Sequence, residues 1–178
     1  MANVKVTERA SNIEYAIRDV IVHTQELIKN GRKIYYLNIG DPAAFDFKTP
    51  KYVKDALCKA IEQDENYYSQ SEGRPELREA IARKEKRVNK VDITADNVIV
   101  TEGISEGIQM LLAALVEKGD EILFPGPTYQ PYISYTKFFD GKPVSYETIE
   151  KEGWVPNIDD LRSKISSRTR AIVINTPN

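Results

Sequence analysis

Apolar residues near the start of the chain recur at helical spacing. Ser11 and Glu14 have the spacing of a capping box, and apolar residues then continue at helical intervals until Gly31, which ends the predicted helix. Thr49 followed by Pro50 predicts the start of a second helix, because proline is favoured at the first helical position. The long N-terminal helix needs a neighbour that covers its apolar stripe.

Further along, short apolar runs alternate with helical segments. A third helix is predicted from Pro75, segment 107–117 predicts a mostly buried helix, and a short helix is expected near 158–164. Five short apolar runs predict strands: 33–39, 98–100, 121–124, 143–146 and 171–174. This alternation, with continuous apolar strands, predicts an α/β layer with a mainly parallel sheet.

Segment 100–107 places a glycine between a predicted strand and an apolar helix. The first turn of a helix carries unpaired N–H groups at the positive end of the helix dipole, and a phosphate satisfies both. Gly103 permits close backbone approach, and Ser105 adds a hydroxyl donor. The segment has neither glycine pattern of the nucleotide-binding loops, so a phosphate bound here would belong to a small cofactor. An ordinary strand–helix turn with a serine cap explains the same residues.

A proline-rich turn, 124–132, follows the next predicted strand. Open α/β sheets bind ligands at the carboxyl edge of their strands, and a turn stiffened by prolines places Tyr129 to stack on a flat aromatic ring. Gly40, in the turn Gly40-Asp41-Pro42, lets a backbone N–H approach a ligand closely. Plain surface turns with packing tyrosines remain an alternative for both segments.

Composition restricts the class of protein. The 178 residues are 41% hydrophobic and 29% charged, and their 25 basic and 27 acidic residues are mixed, which argues against nucleic-acid binding. No run approaches the roughly 20 apolar residues that span a bilayer. One cysteine and one histidine argue against a metal site. A single cysteine and the lack of an apolar signal core predict a cytoplasmic location.

Five segments, in order, resemble the class I/II aminotransferases, which are pyridoxal-phosphate (PLP) enzymes of fold type I. The segments are LNIGDP (37–42), NYYSQSEGRPELREAIA (66–82), VTEGISEGI (100–108), GDEILFPGPTYQPY (119–132) and AIVINTPN (171–178). The N-terminal part is most similar to the alanine aminotransferase-like branch. The resemblance implies that residues 1–45 form an arm helix and part of the small domain. Residues 46–178 are then the first portion of an incomplete large PLP-binding domain.

The resemblance assigns four residues to PLP. It implies that the backbone at Ile104 and Ser105 binds the PLP phosphate and that Tyr129 stacks on the pyridine ring. It also implies that Tyr68 reaches the phosphate across the interface of a homodimer. For Ile104 and Ser105, this role agrees with the argument from the first turn of a helix.

The implied reaction moves an amino group from an L-amino acid, expected to be alanine, to a 2-oxo acid, expected to be 2-oxoglutarate. Gly40 is implied to meet the substrate carboxylate through its backbone, and Tyr15 to lie near the substrate. The Schiff-base lysine, the aspartate that pairs with the pyridine nitrogen and the arginine that binds the substrate carboxylate are expected beyond residue 178. The chain alone is therefore expected to be inactive, with no catalytic residue of its own.

Other functions share these motifs. An aspartate or aromatic aminotransferase, a carbon–sulfur β-lyase or a cyclopropane-forming synthase would keep the cofactor and change the substrate or the reaction. A non-catalytic fragment or an effector-binding domain would keep only the fold. The apolar run 172–174 near the end of the chain predicts truncation, because a domain rarely ends on a core strand.

Overall fold

The chain divides into two compact units. Residues 1–35 together with 103–178 form the first, and residues 36–102 form the second. The computed structural model describes residues 4–11, 13, 16–37, 40–44 and 46–176. The domain boundary expected between residues 45 and 46 stays a prediction.

The first unit contains a small sheet flanked by helices. Its strands are β1 (Glu121–Gly126), β2 (Lys142–Ile149), β3 (Val155–Pro156) and β4 (Thr169–Ile172). The order across the sheet is β3-β2-β1-β4. β1 pairs in parallel with β2 and with β4, whereas β2 and β3 are antiparallel. The prediction of an α/β fold with a mainly parallel sheet is confirmed.

Helices precede and connect the strands. The helices of the described residues are α1 (Glu8–Ser11), α2 (Ala16–Lys29), α3 (Lys51–Glu62), α4 (Pro75–Lys84), α5 (Gly103–Leu115), α6 (Gln130–Phe138) and α7 (Ile158–Lys164). One turn of π-helix, Glu85–Asn89, continues α4. The predicted start of a helix at Pro75 and the predicted short helix at 158–164 are confirmed.

The core of the first unit lies between β1 and α5. Ile122 and Phe124 of β1 pack against Ile108 and Leu112 of α5, and all four side chains are buried. Partly buried residues surround them: Val116, Tyr132, Ile133, Tyr135, Phe139, Ala171 and Val173. β1 pairs on both sides, as β2 does, and it is buried along nearly its whole length, so it forms the buried centre of the sheet.

Two predicted strands are wrong. Residues 33–37 have no strand pairing, and the rest of that run lies outside the described residues. Residues 98–100 have no strand pairing either, although Val98 is buried and the Val100 N–H donates to the Glu72 carbonyl at 2.9 Å. Both runs have strand-like composition, but an extended segment forms a strand only where a neighbouring backbone pairs with it.

Predictions about three helices need correction. Ser11 ends α1, and its hydroxyl donates to the Thr7 carbonyl at 3.2 Å instead of capping a longer helix; Glu14 lies outside the described residues. Pro50 is extended, with ψ 145°, so α3 begins one residue later and Thr49 does not cap it. The helix predicted for 107–117 begins at Gly103, and only Ile108 and Leu112 of it are buried. Met110, Leu111 and Leu115 of this helix remain exposed.

The second unit is organised around α4 and the segment that follows it. Arg78 donates from Nε to the carbonyls of Ala95 and Val98, both at 3.0 Å. Ala82 and Val98 are buried apolar residues of the second unit. These bonds hold segment 95–100 beside α4.

Candidate functional site

The turn after β1 projects an aromatic ring from the carboxyl edge of the sheet. Tyr129 lies at the N-cap position of α6, directly after β1 and the short turn 127–128. Its ring meets Tyr132 edge to face at 5.7 Å, and Tyr132 stacks on the buried Phe124 at 5.8 Å. This row of rings anchors Tyr129 to the core, while 38% of Tyr129 remains exposed.

The N-terminus of α5 offers free backbone donors. The N–H groups of Ile104 and Ser105 have no acceptor among the described residues. Gly103 has φ +73° and open space where a Cβ would stand, and 69% of Ile104 is exposed. Because α5 has 13 residues, its dipole adds a positive potential at these donors. The two N–H groups can therefore hold an anion.

Ser105 itself lies at the edge of this position. Its side chain is half-buried, and its carbonyl accepts a hydrogen bond from Gln109 Nε2 at 3.2 Å. Because α5 begins at Gly103, Ile104 and Ser105 both lie in its first turn.

Gly40 and Tyr68 belong to the second unit. Gly40 is exposed, with open space where a Cβ would stand, and precedes a short 3₁₀ turn, Pro42–Ala44. Asp41 stabilises this turn by accepting a hydrogen bond from the Ala43 N–H at 3.1 Å. Tyr68 lies between α3 and α4, and its side chain is fully exposed. Tyr15, the remaining predicted site residue, lies outside the described residues.

Two polar groups beside Tyr129 were not predicted from the sequence. The Thr128 hydroxyl is buried and has no hydrogen-bond partner among the described residues. The Tyr132 hydroxyl reaches Asn175 Oδ1, just after β4, at 3.5 Å. Thr128 and Tyr132 belong to the same PGPTYQPY segment as Tyr129. The segment was therefore predicted as part of the site, but the buried Thr128 hydroxyl and the contact between Tyr132 and Asn175 were not.

The other polar features of the first unit do not suggest a metal site. Among the described residues, no cluster of three or more His, Cys, Asp or Glu groups is placed to hold an ion. Burial raises the pKa of Tyr146, whose hydroxyl donates to the Val173 carbonyl at 2.8 Å.

Helices long and apolar enough to cross a bilayer are absent from the part of the chain that the structure describes.

These groups fit the PLP that the resemblance implies. PLP has a dianionic phosphate and a flat aromatic ring. The two free N–H groups at the start of α5 suit the phosphate, and the anchored, partly exposed Tyr129 ring suits the pyridine ring. Gly103 leaves room for a ligand to approach the backbone.

Solved aminotransferase structures are similar to this chain in sequence and in fold. An alanine aminotransferase from Pyrococcus furiosus is 53% identical over 97% of this chain, with a TM-score of 0.92. A Thermus thermophilus aspartate aminotransferase is 34% identical over 99% of the chain, with a TM-score of 0.89. The chain covers 45% and 46% of those two proteins.

Curated relatives give the same family. The aspartate aminotransferase of Pyrococcus horikoshii is 38% identical over 86% of this chain, which spans 39% of that relative. The glutamate-pyruvate aminotransferase AlaA of Escherichia coli is 33% identical over the whole chain, which spans 44% of it. The profile of the family described as aminotransferase class I and II matches residues 32–178. The chain therefore belongs to the class I and II aminotransferases, a family of PLP-dependent enzymes, and spans less than half the length of these relatives.

Proposed function

We propose that the complete protein is an aminotransferase that takes an amino group from L-alanine and delivers it to 2-oxoglutarate. The observation that carries this proposal is the 53% identity to the alanine aminotransferase of Pyrococcus furiosus. Identity to the aspartate aminotransferase of Pyrococcus horikoshii is 38%. The organisation of the α5 N-terminus and of Tyr129 supports the cofactor that such a reaction needs.

In this proposal, residues of the present chain bind and orient the cofactor. Bound PLP supplies an electron-withdrawing ring that stabilises negative charge developing on the Cα of the amino acid. The backbone N–H groups of Ile104 and Ser105 donate to its phosphate, and Tyr129 covers its ring. Tyr68 donates to the phosphate from the second subunit of a homodimer.

The remaining roles concern the substrate. The Gly40 backbone donates to the substrate carboxylate, and Tyr15 lies near the substrate. The lysine that moves the Cα proton, the aspartate at the pyridine nitrogen and the carboxylate-binding arginine are proposed to follow residue 178.

A dimer and a cytoplasmic location complete the proposal. The dimer is supported by Tyr68, whose side chain is fully exposed, and by the exposed apolar face of α3. That face consists of Val53, Leu57 and Ile61. The cytoplasmic location is consistent with the exposed, unpaired thiol of Cys58.

Absorption spectra of the full-length protein with PLP test the reaction. L-alanine is expected to convert the protonated-imine band into the band of the pyridoxamine form, and 2-oxoglutarate is expected to restore the first band. A full-length protein without either band would contradict the cofactor assignment.

Aspartate transamination is the second candidate, since relatives named aspartate aminotransferase match most of the chain. Values of kcat/KM for L-alanine and L-aspartate, each with 2-oxoglutarate, separate the two. A preference for alanine supports the proposal, whereas a preference for aspartate overturns the choice of substrate and leaves the aminotransferase function intact.

A further inference from the structure

The segment between α3 and α4 holds two adjacent tyrosines in different surroundings. The Tyr68 side chain is fully exposed, whereas the Tyr67 hydroxyl donates to Glu65 Oε2 at 2.7 Å. The same oxygen accepts a hydrogen bond from Arg74 Nη1 at 2.8 Å. The Glu65 carboxylate thus connects Tyr67 with Arg74, and Tyr68 lies in the nine-residue interval between Glu65 and Arg74.

Both ends of this segment are fixed to helices. α3 ends in a Schellman motif, in which the Glu65 N–H donates to the Ala60 carbonyl and the Asp64 N–H to the Ile61 carbonyl, each at 3.1 Å. Arg74 is the N-cap residue of α4. The Glu65–Arg74 pair therefore closes the segment at the points where it leaves one helix and enters the next.

The charge state of Glu65 suits this role. The hydrogen bond from Tyr67, and then that from Arg74, lower the pKa of Glu65. The same hydrogen bond raises the pKa of Tyr67, because the tyrosine must keep its proton to donate to Glu65. At neutral pH the carboxylate is therefore ionised and Tyr67 remains a neutral donor, so both hydrogen bonds are charge-assisted.

We propose that Glu65 is a positioning residue for Tyr68. By binding Tyr67 and Arg74 with one carboxylate oxygen, it holds segment 65–74 in the shape that projects Tyr68 toward the cofactor phosphate. This inference rests on the proposed function, in which Tyr68 donates to that phosphate. It adds three residues, Glu65, Tyr67 and Arg74, that support the phosphate contact without touching the cofactor.

Phosphate-dependent cofactor affinity tests the proposal. The apo form of the full-length protein is titrated with PLP and with pyridoxal, which lacks the phosphate, and dissociation constants are measured by fluorescence. Tyr68→Phe is expected to weaken PLP binding about tenfold, the size of one hydrogen bond to a charged group, and to leave pyridoxal binding unchanged. Glu65→Gln is expected to weaken PLP binding roughly three- to tenfold, again without affecting pyridoxal.

Two further variants make the test specific. Tyr67→Phe removes one hydrogen bond to Glu65 and keeps the ion pair with Arg74, so its effect is expected to be smaller than that of Glu65→Gln. Glu79→Gln is the matched control, because Glu79 forms an exposed pair with Arg83 on α4 at 3.4 Å, and it is expected to bind PLP like the wild type. In the Tyr68→Phe background, Glu65→Gln is expected to add little, because both changes act on one contact.

The outcomes separate this inference from the function on which it rests. Glu65→Gln with wild-type PLP affinity, equal weakening of PLP and pyridoxal, or a full additional effect in Tyr68→Phe would each overturn the positioning role. Wild-type PLP affinity in Tyr68→Phe would overturn the role of Tyr68 as well, while the aminotransferase function would stand. Failure of the wild-type protein to bind PLP would instead overturn the proposed function.

Discussion

Gly73 occupies a position that excludes a side chain for two reasons. Its φ is +100°, and an added Cβ would lie 2.6 Å from both Cβ and Cγ2 of Val100. Gly73→Ala is therefore expected to lower the free energy of unfolding of the full-length protein by about 2–5 kcal/mol. Backbone strain contributes about 1–2 kcal/mol and overpacking about 1–3 kcal/mol. Urea denaturation measures the loss.

Gly153 provides the control for this prediction. It also has a positive φ, +80°, but no atom lies within 4 Å of an added Cβ, so Gly153→Ala is expected to show only the strain of about 1–2 kcal/mol. Val100→Ala is expected to relieve part of the clash in Gly73→Ala. Equal losses in the two alanine variants would show that the contact with Val100 contributes nothing.

Tyr129 is a residue whose ring, more than its hydroxyl, is expected to matter. Replacing it with leucine removes the aromatic face and the edge-to-face contact with Tyr132, whereas phenylalanine keeps both. Tyr129→Leu is expected to weaken PLP binding by the full-length protein about 2- to 10-fold, and Tyr129→Phe much less. Fluorescence titration of the apo-protein measures both constants. Similar losses in the two variants would indicate a hydroxyl contact instead of ring stacking.

At the scale of elements, β1 begins with a buried charge. Only 6% of the Glu121 side chain is exposed. Its carboxylate accepts hydrogen bonds from Ser166 Oγ at 2.6 Å, Lys142 Nζ at 3.0 Å and Arg168 Nη2 at 3.1 Å. These partners come from β2 and from the turn before β4, so one side chain connects the starts of three neighbouring strands.

The Glu121 cluster predicts how stability depends on pH. The hydrogen bond from Ser166, followed by that from Lys142, lowers the pKa of Glu121 below its ordinary value of 4.5. A lowered pKa in the folded state means that the stabilisation is present above pH 4.5 and is lost as the pH falls through the folded-state pKa. Glu121→Gln is expected to be less stable than the wild type at pH 7, and the difference is expected to shrink below pH 4.5.

Urea denaturation of the full-length protein between pH 3 and 7 measures this difference, within the range in which folding is reversible. Glu117→Gln is a suitable control, because the Glu117 side chain is exposed and the hydrogen bonds of Glu117 with Asp120 use its backbone. A Glu121→Gln difference that does not change with pH would mean that shape, and not charge, explains the stabilisation.

The apolar residues of α5 differ in burial according to what each side of the helix contacts. Its sequence is apolar on nearly every side, yet Ile108 and Leu112 are buried whereas 61% of Leu111 and 47% of Met110 remain exposed. The buried pair packs against Ile122 and Phe124 of β1, with Ala171 of β4 beside them. Composition therefore indicated an apolar helix, and packing selected the face that enters the core.

At the scale of the molecule, the sheet presents an edge. β4 pairs with β1 on one side and has no strand on its other side among the described residues, while Ile172 and Ile174 are 40% and 73% exposed. Residues 1–178 expressed on their own are expected to self-associate through this edge. Ile172→Lys with Ile174→Lys is expected to reduce the association, as measured by size-exclusion chromatography with light scattering.

Val4 and Val6 provide the comparison, since they are 85% and 70% exposed but lie outside the sheet. The corresponding pair of lysine substitutions there is expected to leave the association unchanged. An equal reduction by both pairs would attribute association to general apolar exposure, and no reduction by either would exclude the edge of β4.

The sequence by itself determined the features that depend on near neighbours. Proline at the start of α4 and the apolar runs of β1, β2 and β4 are local signals. They predicted where these elements lie, although β4 ends at Ile172, two residues before the end of the predicted run. The motif containing Tyr129 also placed this residue after a central strand. The family followed from five such segments in order, because each motif is a contiguous piece of chain.

Only the tertiary structure decided which extended runs pair and which polar groups meet. Segment 98–100 resembles a strand in composition, but its backbone is held by single contacts beside α4. Glu121 accepts a hydrogen bond from Ser166, 45 residues away, and Glu65 accepts one from Arg74 across the loop between α3 and α4. A pattern of residues records the preferences of each segment, whereas pairing and burial depend on which distant segments fold against it.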